Sequence, residues 1–311
     1  MNPDGDGMNE TPDQCISRPC NLCGHQDIRT LRLESGDHQL DSGDVRMTTD
    51  VYAPFGRIVQ CNRCGLVYID PRLPDDAVTG AYSRLEDLDY MDQQDCRSMN
   101  AHLSLLTIKS LCQGGRLLDI GCSTGFFLNA ARIDFDVLGV EPSGWASGFA
   151  KEKLNLDVKT GTLDDLPQDI PPFDVVTMID VIEHVTDPSL LMRKVADRVK
   201  PGGLLYLVTP DISSFSARLL GRYWWGFRPA HLYYFSPATL RKLLDQAGFQ
   251  IVDMRSYGRI FTYGYWLSRI KFYPSFFFST LRTLIRKLKI ENKVVYINTR
   301  DSMEVCAIKK A

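Results

Sequence analysis

Leu117-Leu-Asp-Ile-Gly-Cys-Ser-Thr-Gly125 and the Val-Leu-Gly-Val-Glu-Pro stretch at 137–142 decide the fold of this 311-residue chain. The first stretch reads as a hydrophobic strand followed by a glycine-bearing turn, and the second as a strand that ends at the carboxylate of Glu141. Open α/β sheets bind nucleoside cofactors at the carboxyl ends of such strands, where glycines let the backbone approach the ligand and an acid accepts hydrogen bonds from ribose. The sequence therefore predicts an α/β fold with a nucleoside site at this turn.

The residues of the turn distinguish between two kinds of nucleoside cofactor. A dinucleotide fingerprint has glycines two and five positions after its first glycine, whereas this chain has Ser123 and Phe126 there. Asp119, at the end of the first strand, would repel a pyrophosphate, but it suits a cation such as the α-amino group of a methionine moiety. These residues favour S-adenosylmethionine (SAM) over NAD.

The segment from about Gly115 to Tyr257 resembles a class I SAM-dependent methyltransferase, because several motifs follow one another in that family's order and spacing. Asp119–Gly125 resembles the family's first motif, with Ser123 where the middle glycine is usual, and Glu141 matches the ribose-binding acid. The resemblance implies a Rossmann-like seven-stranded sheet. It also implies a SAM site that consists of Asp119, Gly121, Cys122, Gly125, Glu141, Thr162, Leu163 and Asp180.

Later motifs carry the same resemblance. Thr160–Asp164 resembles the loop that brackets adenine, although the usual acid of that loop is Thr162 here, so adenine would rest on backbone groups and Leu163. Phe173–Asp180 resembles the fourth strand and its acidic exit, and Lys200–Gly203 resembles the turn into the fifth strand. The strands are nearly continuous apolar runs, which is typical of a parallel sheet covered on both faces.

Four of the nine cysteines form two matched Cys-x-x-Cys-Gly knuckles, at Cys20–Gly24 and Cys61–Gly65. Two such knuckles supply four thiolates in the tetrahedral arrangement that a structural zinc ion favours. The polar stretch Glu34–Asp44, which accounts for the long separation between the knuckles, reads as a flexible loop. A redox dithiol would not need two matched knuckles, so we predict a zinc ribbon whose ligands are Cys20, Cys23, Cys61 and Cys64.

Composition restricts the partners and the compartment. The net charge is −2, and residues 18–70 hold six arginines, no lysine and seven acids, so the ribbon is not expected to bind nucleic acid. The polar, acidic first 17 residues are typical of a disordered tail rather than a signal peptide, and no apolar run is long enough for a membrane span. We therefore expect a cytoplasmic protein with reduced cysteines, and the sequence gives no prediction of its oligomeric state.

Two histidines are candidates for the proton acceptor that a hydroxyl or an enolisable carbon needs when it is methylated. His231 follows the fifth strand, where the resemblance places the substrate pocket, and it is the leading candidate. His184, in Asp180-Val-Ile-Glu-His, is the second, and its alternative role is only to bond the backbone. If the acceptor is already anionic, both histidines merely position it. The aromatic residues predicted to bind the substrate are Tyr233, Tyr234, Trp224 and Trp225, with a buried cap on the sheet as the alternative for the two tryptophans.

The segment Met254–Ile290 is unusual, because it has eight Lys or Arg residues and neither Asp nor Glu. Within it, Arg282–Ile290 reads as a basic amphipathic helix, the type that lies on an anionic membrane surface. One hypothesis is peripheral contact with the inner face of the membrane through residues 265–290. A clamp for a phosphorylated substrate, a dimer contact and a lid whose cations face solvent are the alternatives.

The chain is thereby divided into six segments. They are a disordered tail (1–17), the zinc ribbon (18–70), a helical lid or linker (71–113), the SAM-binding core (114–258), a basic aromatic helical insertion (259–292) and a C-terminal strand (293–311). The resemblance implies that this last strand returns antiparallel at the edge of the sheet. Helices before the sheet close over the cofactor in related methyltransferases, so Tyr82 and Tyr90 are lid candidates, or alternatively anchors of a helix.

These features predict a SAM-dependent methyltransferase whose acceptor is a small molecule, namely a sugar, a phenol or a lipid-linked intermediate. A four-cysteine module before such a core resembles the sugar C-methyltransferases of deoxysugar pathways, whose additional C-terminal domain this sequence does not show. Ubiquinone-type O-methyltransferases share the core motifs, which favours O-methylation over C-methylation. Two alternatives stay open: a non-catalytic scaffold or regulator with the SAM fold, and an RNA methyltransferase that holds its substrate with the ribbon.

Overall fold

A computed structural model of the chain describes residues 15–32, 56–87, 92–269 and 275–311. Several predictions concern residues outside these ranges, namely most of the tail, the loop at 34–44, Tyr90, and residues 270–274 of the insertion. Among the helices within these ranges, none combines the length and the apolar character that crossing a membrane requires.

The described residues form thirteen strands and nine α-helices. The strands are β1 (Ile28–Arg32), β2 (Ile58–Cys61), β3 (Val67–Ile69), β4 (Arg116–Ile120), β5 (Asp136–Glu141), β6 (Val158–Thr160), β7 (Phe173–Ile179), β8 (Val199–Pro210), β9 (Tyr233–Tyr234), β10 (Phe249–Ser256), β11 (Arg259–Thr262), β12 (Val294–Ile297) and β13 (Ser302–Lys309). The helices are α1 (Asp75–Ser83), α2 (Gln94–Leu111), α3 (Phe126–Ala131), α4 (Gly144–Leu154), α5 (Pro188–Arg198), α6 (Phe215–Leu220), α7 (Pro237–Gln246), α8 (Tyr263–Arg269) and α9 (Ser275–Lys287).

Seven strands form a Rossmann-like sheet in the order β10-β13-β8-β7-β4-β5-β6. β4 pairs in parallel with β5 and β7, and parallel pairing continues to β6 on one side and to β8 on the other. Leu117 and Leu118, in the central strand, are both fully buried but belong to different hydrophobic clusters, because successive side chains of a strand point to opposite faces. The apolar runs therefore reflect a sheet covered on both faces, and the predicted fold class is confirmed.

The C-terminal strand lies one position inside the sheet, so the prediction that it forms the edge is wrong. β13 pairs antiparallel with both β8 and β10, and β10 is the edge strand. Every residue from Ser302 to Ala307 in β13 is buried, whereas β10 carries exposed side chains such as Val252. A strand that is buried on both faces fits an interior position, and a partly exposed strand fits the edge.

The N-terminal segment forms a second sheet that includes one strand from the core segment. The order of this ribbon sheet is β1-β2-β3-β9, and β9 pairs antiparallel with β3 through Tyr68 opposite Tyr233. Cys20 and Leu22 also belong to the same hydrophobic cluster as the core residues Met192 and Leu240. The ribbon is therefore joined to the core by a shared strand and by shared packing.

Between β10 and β13 the chain passes through β11, α8, α9 and β12. β11 and β12 pair antiparallel as a small separate sheet. The Asn100 side chain on α2 fixes this sheet to the core, because its Nδ2 donates to the carbonyl of Ile260 at 2.9 Å and its Oδ1 accepts from the Ile260 N–H at 2.7 Å. As a result, Arg259 and Phe261 on β11 line a cavity at the carboxyl ends of the parallel strands.

Candidate active site

The turn between β4 and α3 contains three residues with a left-handed backbone. The φ angle is +72° at Gly121, +50° at Ser123 and +81° at Gly125. A Cβ atom at Gly121 would lie 2.6 Å from a methyl group of Val181, and one at Gly125 would lie 2.6 Å from a methyl group of Leu156, so a larger residue at either position would require that side chain to move. Ser123, where the middle glycine is usual, adopts the left-handed conformation without being a glycine.

Glu141 holds this turn to the end of β5. Its Oε2 accepts from the Ser123 N–H and its Oε1 from the Ser143 N–H, both at 2.8 Å. The side chain is buried, and burial raises the pKa of Glu141 although both N–H groups favour the ionised form. Because each carboxylate oxygen has a second lone pair, Glu141 can hold the turn and accept from ribose hydroxyls at the same time.

Asp119 is buried at the end of β4, beside the same turn. The Thr177 hydroxyl donates to its Oδ1 at 2.6 Å. Burial raises the pKa of Asp119 to about 7, so this group is close to half-protonated at neutral pH. A cationic ligand placed next to it would favour the ionised form.

Thr162 and Leu163 lie just beyond the carboxyl end of β6. Thr162 begins a short 3-10 helix, Leu163–Asp165, in which the Thr162 side chain accepts from the Asp164 N–H and Asp165 accepts from the Thr162 N–H at 2.7 Å. These two bonds fix the loop, and Leu163 within it is 5% exposed. The loop therefore offers an apolar side chain and backbone groups to a flat ring such as adenine.

One cavity of about 500 Å³ connects these residues. Small-molecule sites have volumes of roughly 300–1,000 Å³. Gly125 packs against Leu156 behind the turn. The other seven residues predicted to bind SAM line the cavity, namely Asp119, Gly121, Cys122, Glu141, Thr162, Leu163 and Asp180.

An ion pair lies at the exit of β7, on the side of the cavity away from β6. Arg259 Nη2 lies 2.6 Å from Asp180 Oδ1, and Asp180 has a left-handed φ of +54°. Burial disfavours the charged guanidinium, but the Asp180 carboxylate more than offsets this and keeps the pKa of Arg259 above its ordinary value. The guanidinium also lies over the Tyr257 ring, 5.0 Å from its centroid.

His184 lines the cavity next to Tyr82, which comes from α1. The Tyr82 hydroxyl lies 2.6 Å from His184 Nδ1, and the carbonyl of Ala230 lies 3.0 Å from the same nitrogen. Because a carbonyl only accepts, we assign the proton of the neutral ring to Nδ1, which leaves a lone pair on Nε2. Burial lowers the pKa of His184 to about 4 because it disfavours the charged ring, so the ring is neutral at pH 7 and is a weaker base than an ordinary imidazole.

Glu183 and His231 are buried next to His184, and neither of them lines the cavity. The rings of His184 and His231 meet edge to face with centroids 4.6 Å apart. His184 Nε2 lies 4.0 Å from Glu183 Oε1, and the Thr209 hydroxyl donates to the other carboxylate oxygen at 2.9 Å. Burial raises the pKa of Glu183 and lowers that of His231. The structure therefore places His184, and not His231, at the cavity wall.

The four aromatic residues predicted to bind the substrate lie where the ribbon sheet meets the core, outside the cavity lining. Tyr233 and Tyr234 form β9 of the ribbon sheet. Trp224 is fully buried, and the indoles of Trp224 and Trp225 both donate to Asp301 Oδ2, at 3.1 and 2.6 Å. Packing and these hydrogen bonds account for the aromatic residues in this segment.

The four ribbon cysteines converge on one point. The Sγ atoms of Cys20 and Cys64 are 3.4 Å apart, those of Cys23 and Cys61 are 3.5 Å apart, and all four lie within 4.8 Å of one another. Zn–S bonds of about 2.3 Å in a tetrahedron require sulfur separations of about 3.8 Å. The four thiols therefore fit a structural zinc ion.

Tyr257, Arg259 and Phe261 also line the cavity, and the sequence patterns did not identify them as site residues. They lie where β10 passes into the insertion. The excess of basic and aromatic residues in this segment was the only signal. Their place at the cavity depends on the pairing of β11 with β12 across the whole insertion, which no local pattern predicts.

Comparisons with known proteins agree with this geometry. The family described as "Methyltransferase domain" matches residues 90–254, just over half of the chain. The ubiquinone biosynthesis O-methyltransferase of Azorhizobium caulinodans is 31% identical over 155 residues, which cover 46% of this chain and 61% of the relative. The protein of the same name from Rhizobium etli is 34% identical over 156 residues, which cover 45% and 62%. The chain thus spans about three fifths of the length of these relatives.

A solved structure shares the fold. It is a chain of the complex between the Haloferax volcanii Trm112 methyltransferase activator and a methyltransferase, with a TM-score of 0.51 and 17% identity. The likeness covers 71% of the present chain and 92% of the other. At this identity the comparison concerns the fold alone.

Proposed function

This chain belongs to the methyltransferase domain family and has the class I SAM-dependent methyltransferase fold, and on that premise we propose that it methylates a hydroxyl group of a small-molecule acceptor. One observation carries the proposal: a single cavity joins the two cofactor acids, Asp119 and Glu141, to His184 and Tyr82. The first pair suits the binding of the methyl donor, and the second pair suits the handling of an acceptor proton.

The ends of β4, β5 and β6 would hold the cofactor. Asp119 would pair with the α-amino group, Glu141 would accept from the ribose hydroxyls, and Leu163 would pack on adenine. When bound, SAM supplies a methyl group on a sulfonium, which is an excellent leaving group. The protein therefore has to position the acceptor oxygen and remove its proton.

We assign the removal of this proton to His184 because it lines the cavity and His231 does not. The ring of His184 is neutral at pH 7 because burial lowers its pKa to about 4, and the Nδ1 contacts to Tyr82 and Ala230 fix its orientation. Tyr82 is a positioning residue, since its hydroxyl lies 2.6 Å from the imidazole. His231 supports His184 through ring packing, because it is buried behind the cavity wall.

A phenolic acceptor fits the aromatic residues that line the cavity near β11. Tyr257, Phe261 and Tyr265 line this part of the cavity, and the rings of the last two are stacked with centroids 5.4 Å apart. Aromatic walls favour a planar ring. The names of the O-methyltransferase relatives support a hydroxyl as the acceptor group.

We also propose that the four ribbon cysteines bind zinc in a structural role. Four sulfurs fill the coordination sphere of the ion and leave no open position for a substrate or for water. The sulfur separations of 3.4 and 3.5 Å support this site.

Transfer of radiolabelled methyl from SAM tests the function. The acceptor probes are protocatechuate (a catechol), phenol, and thymidine diphosphate-glucose as a sugar. We expect label in protocatechuate, and we expect His184→Gln to lower kcat by about 100-fold because general base catalysis contributes at least that much. His102→Gln, an exposed histidine on α2, is the matched control. Equal rates for His184→Gln and wild type would contradict the role of His184, and transfer to the sugar alone would contradict the phenolic acceptor.

A further inference from the structure

The two cysteine knuckles carry the same residue after their first cysteine, Asn21 in one and Asn62 in the other. Their surroundings differ. Asn62 is exposed, and its Nδ2 donates to Asp27 at 2.9 Å within the ribbon. Asn21 is half-buried and reaches out of the ribbon to the core. Asn21 therefore contacts the core, whereas the side chain of Asn62 makes no hydrogen bond to the core among the described residues, so Asn62 is a matched control.

Asn21 makes three hydrogen bonds to the start of α5. Its Nδ2 donates to Asp187 Oδ1 at 2.8 Å, and its Oδ1 accepts from the Ser189 N–H at 2.9 Å. Its backbone carbonyl accepts from the Ser189 hydroxyl at 2.9 Å. A residue between two cysteines of the proposed zinc site is thus fixed to two residues of the catalytic core.

Asn21 holds the loop that carries His184 at the point where this loop enters α5. Asp187 caps α5 by accepting from the Leu190 N–H at 2.8 Å, and both residues line the cavity. His184 lies three residues before Asp187 on the same loop. Arg72, two residues beyond the ribbon segment, holds this loop at a second point, because its Nη2 donates to the Thr186 carbonyl at 3.0 Å.

The cofactor side is held differently. Glu141 is fixed by the N–H groups of Ser123 and Ser143, and Asp119 by the hydroxyl of Thr177, all of which belong to the core. Loss of the ribbon contacts would therefore leave these bonds in place. The bonds that fix Asp119 and Glu141 thus differ from those that fix the His184 loop, whereas the loop at Leu163–Asp165 is joined to α5 by Lys194, whose Nζ donates to Asp164 at 2.7 Å.

We propose that Asn21 is a positioning residue that couples the geometry of the four-cysteine site to the loop carrying His184. The ribbon then has a function in the reaction without contacting a substrate: it sets the position of the His184 loop and leaves the bonds that fix Asp119 and Glu141 in place. This role rests on the proposed methyltransferase function for its meaning, but the coupling itself is a property of the fold and can be measured without an acceptor.

The experiment compares Asn21→Ala with the matched control Asn62→Ala in the full-length, zinc-loaded protein. Hydrogen exchange is followed over residues 181–191 and over the cofactor turn at 119–126, together with zinc content, the imidazole NMR signals of His184 (assigned with His184→Gln) and the affinity for S-adenosylhomocysteine (SAH). In Asn21→Ala we expect exchange at 181–191 to rise by about tenfold or more, since two bonds to the start of α5 are lost. We also expect a shifted His184 signal, with zinc content and SAH affinity unchanged. Asn62→Ala should match wild type in all four readouts.

Unchanged exchange at 181–191 in a zinc-loaded Asn21→Ala protein would overturn the proposal, as would an equal rise in Asn62→Ala. If Asn21→Ala loses zinc, Ser189→Ala decides, because it removes one of the same bonds from the core side and leaves the knuckle intact. It should raise exchange at 181–191 in the same direction by a smaller factor, and no rise would reject the coupling. Failure of the wild type to bind SAH would instead count against the proposed function and would leave the exchange result standing.

Discussion

Asp119 should release a proton when the protein binds SAH, and the affinity should therefore depend on pH. The free protein has a buried Asp119 whose pKa is raised to about 7. The α-amino group of SAH is a cation between about pH 6 and pH 8, so we expect it to favour the ionised form of the Asp119 carboxylate. Above pH 7 the carboxylate is already ionised, whereas below pH 7 it must first lose its proton. The affinity should consequently fall as the pH is lowered.

The size of the effect follows from this pKa. If the complex keeps Asp119 ionised at both pH values, lowering the pH from 8 to 6 should weaken binding about tenfold, or about 1.4 kcal/mol. The number of protons released per SAH should rise from about 0.1 at pH 8 to about 0.9 at pH 6.

Calorimetric titration in buffers of different ionisation enthalpy measures these protons directly. Asp119→Asn keeps the shape of the side chain but has no proton to release, so its affinity should be lower at pH 8 and nearly independent of pH. Glu183 also has a raised pKa, but it lies outside the cavity lining and is unaltered in this variant. The same proton release in Asp119→Asn as in wild type would refute the reasoning.

Three further predictions concern the turn, the metal and the insertion. Gly125→Ala should lower the free energy of unfolding by about 2–4 kcal/mol in urea, since the new Cβ would meet Leu156 at 2.6 Å in a left-handed backbone. Gly148→Ala, in α4 with open space at its Cβ, should be neutral or stabilising, and equal losses in both variants would reject this account. Removal of zinc with a chelator should release one ion per chain and speed hydrogen exchange in β2 and β3. The affinity for SAH should change by less than about tenfold. A purified protein without bound zinc would contradict the proposed zinc site. Vesicles with anionic lipid should carry the protein in flotation through α9, whose Arg282 and Lys287 are exposed, and absence of co-flotation, or equal flotation of Arg282→Glu/Lys287→Glu, would reject that role.

The parts of the fold that local chemistry determines were predictable from the sequence. Apolar runs of strand length predicted the parallel strands of the sheet, because strands covered on both faces need such runs. Glu141 was identifiable because its strand ends next to the glycine turn, where it now accepts from Ser123. The four cysteines were identifiable because two knuckles of one pattern rarely have another use.

Features that depend on distant pairings could not be read in the same way. β13 enters the sheet between β8 and β10 and is therefore buried on both faces. This position depends on its pairing with β10, which no local pattern in the last strand predicts. Tyr233 and Tyr234 looked like pocket residues, but their pairing with β3 places them in the ribbon sheet. The position of His231 could not be predicted either. His184 separates it from the cavity, and this arrangement depends on how the loop after β7 packs against the segment before β9.

The most direct test of the central claim is a calorimetric titration of the zinc-loaded protein with SAH, with Glu141→Gln and the control Glu152→Gln alongside. Both oxygens of Glu141 accept hydrogen bonds from backbone N–H groups. The amide of a glutamine has only one oxygen, so one of these N–H groups would lose its acceptor, and the bond to ribose would also be weaker. We predict a Kd near 1 μM for wild type, about −8 kcal/mol, and binding weaker by about 30-fold or more in Glu141→Gln. Glu152, exposed on α4, should be replaceable without effect. A folded wild-type protein that gives no heat of binding, or a Glu141→Gln variant that binds as tightly as wild type, would contradict the account.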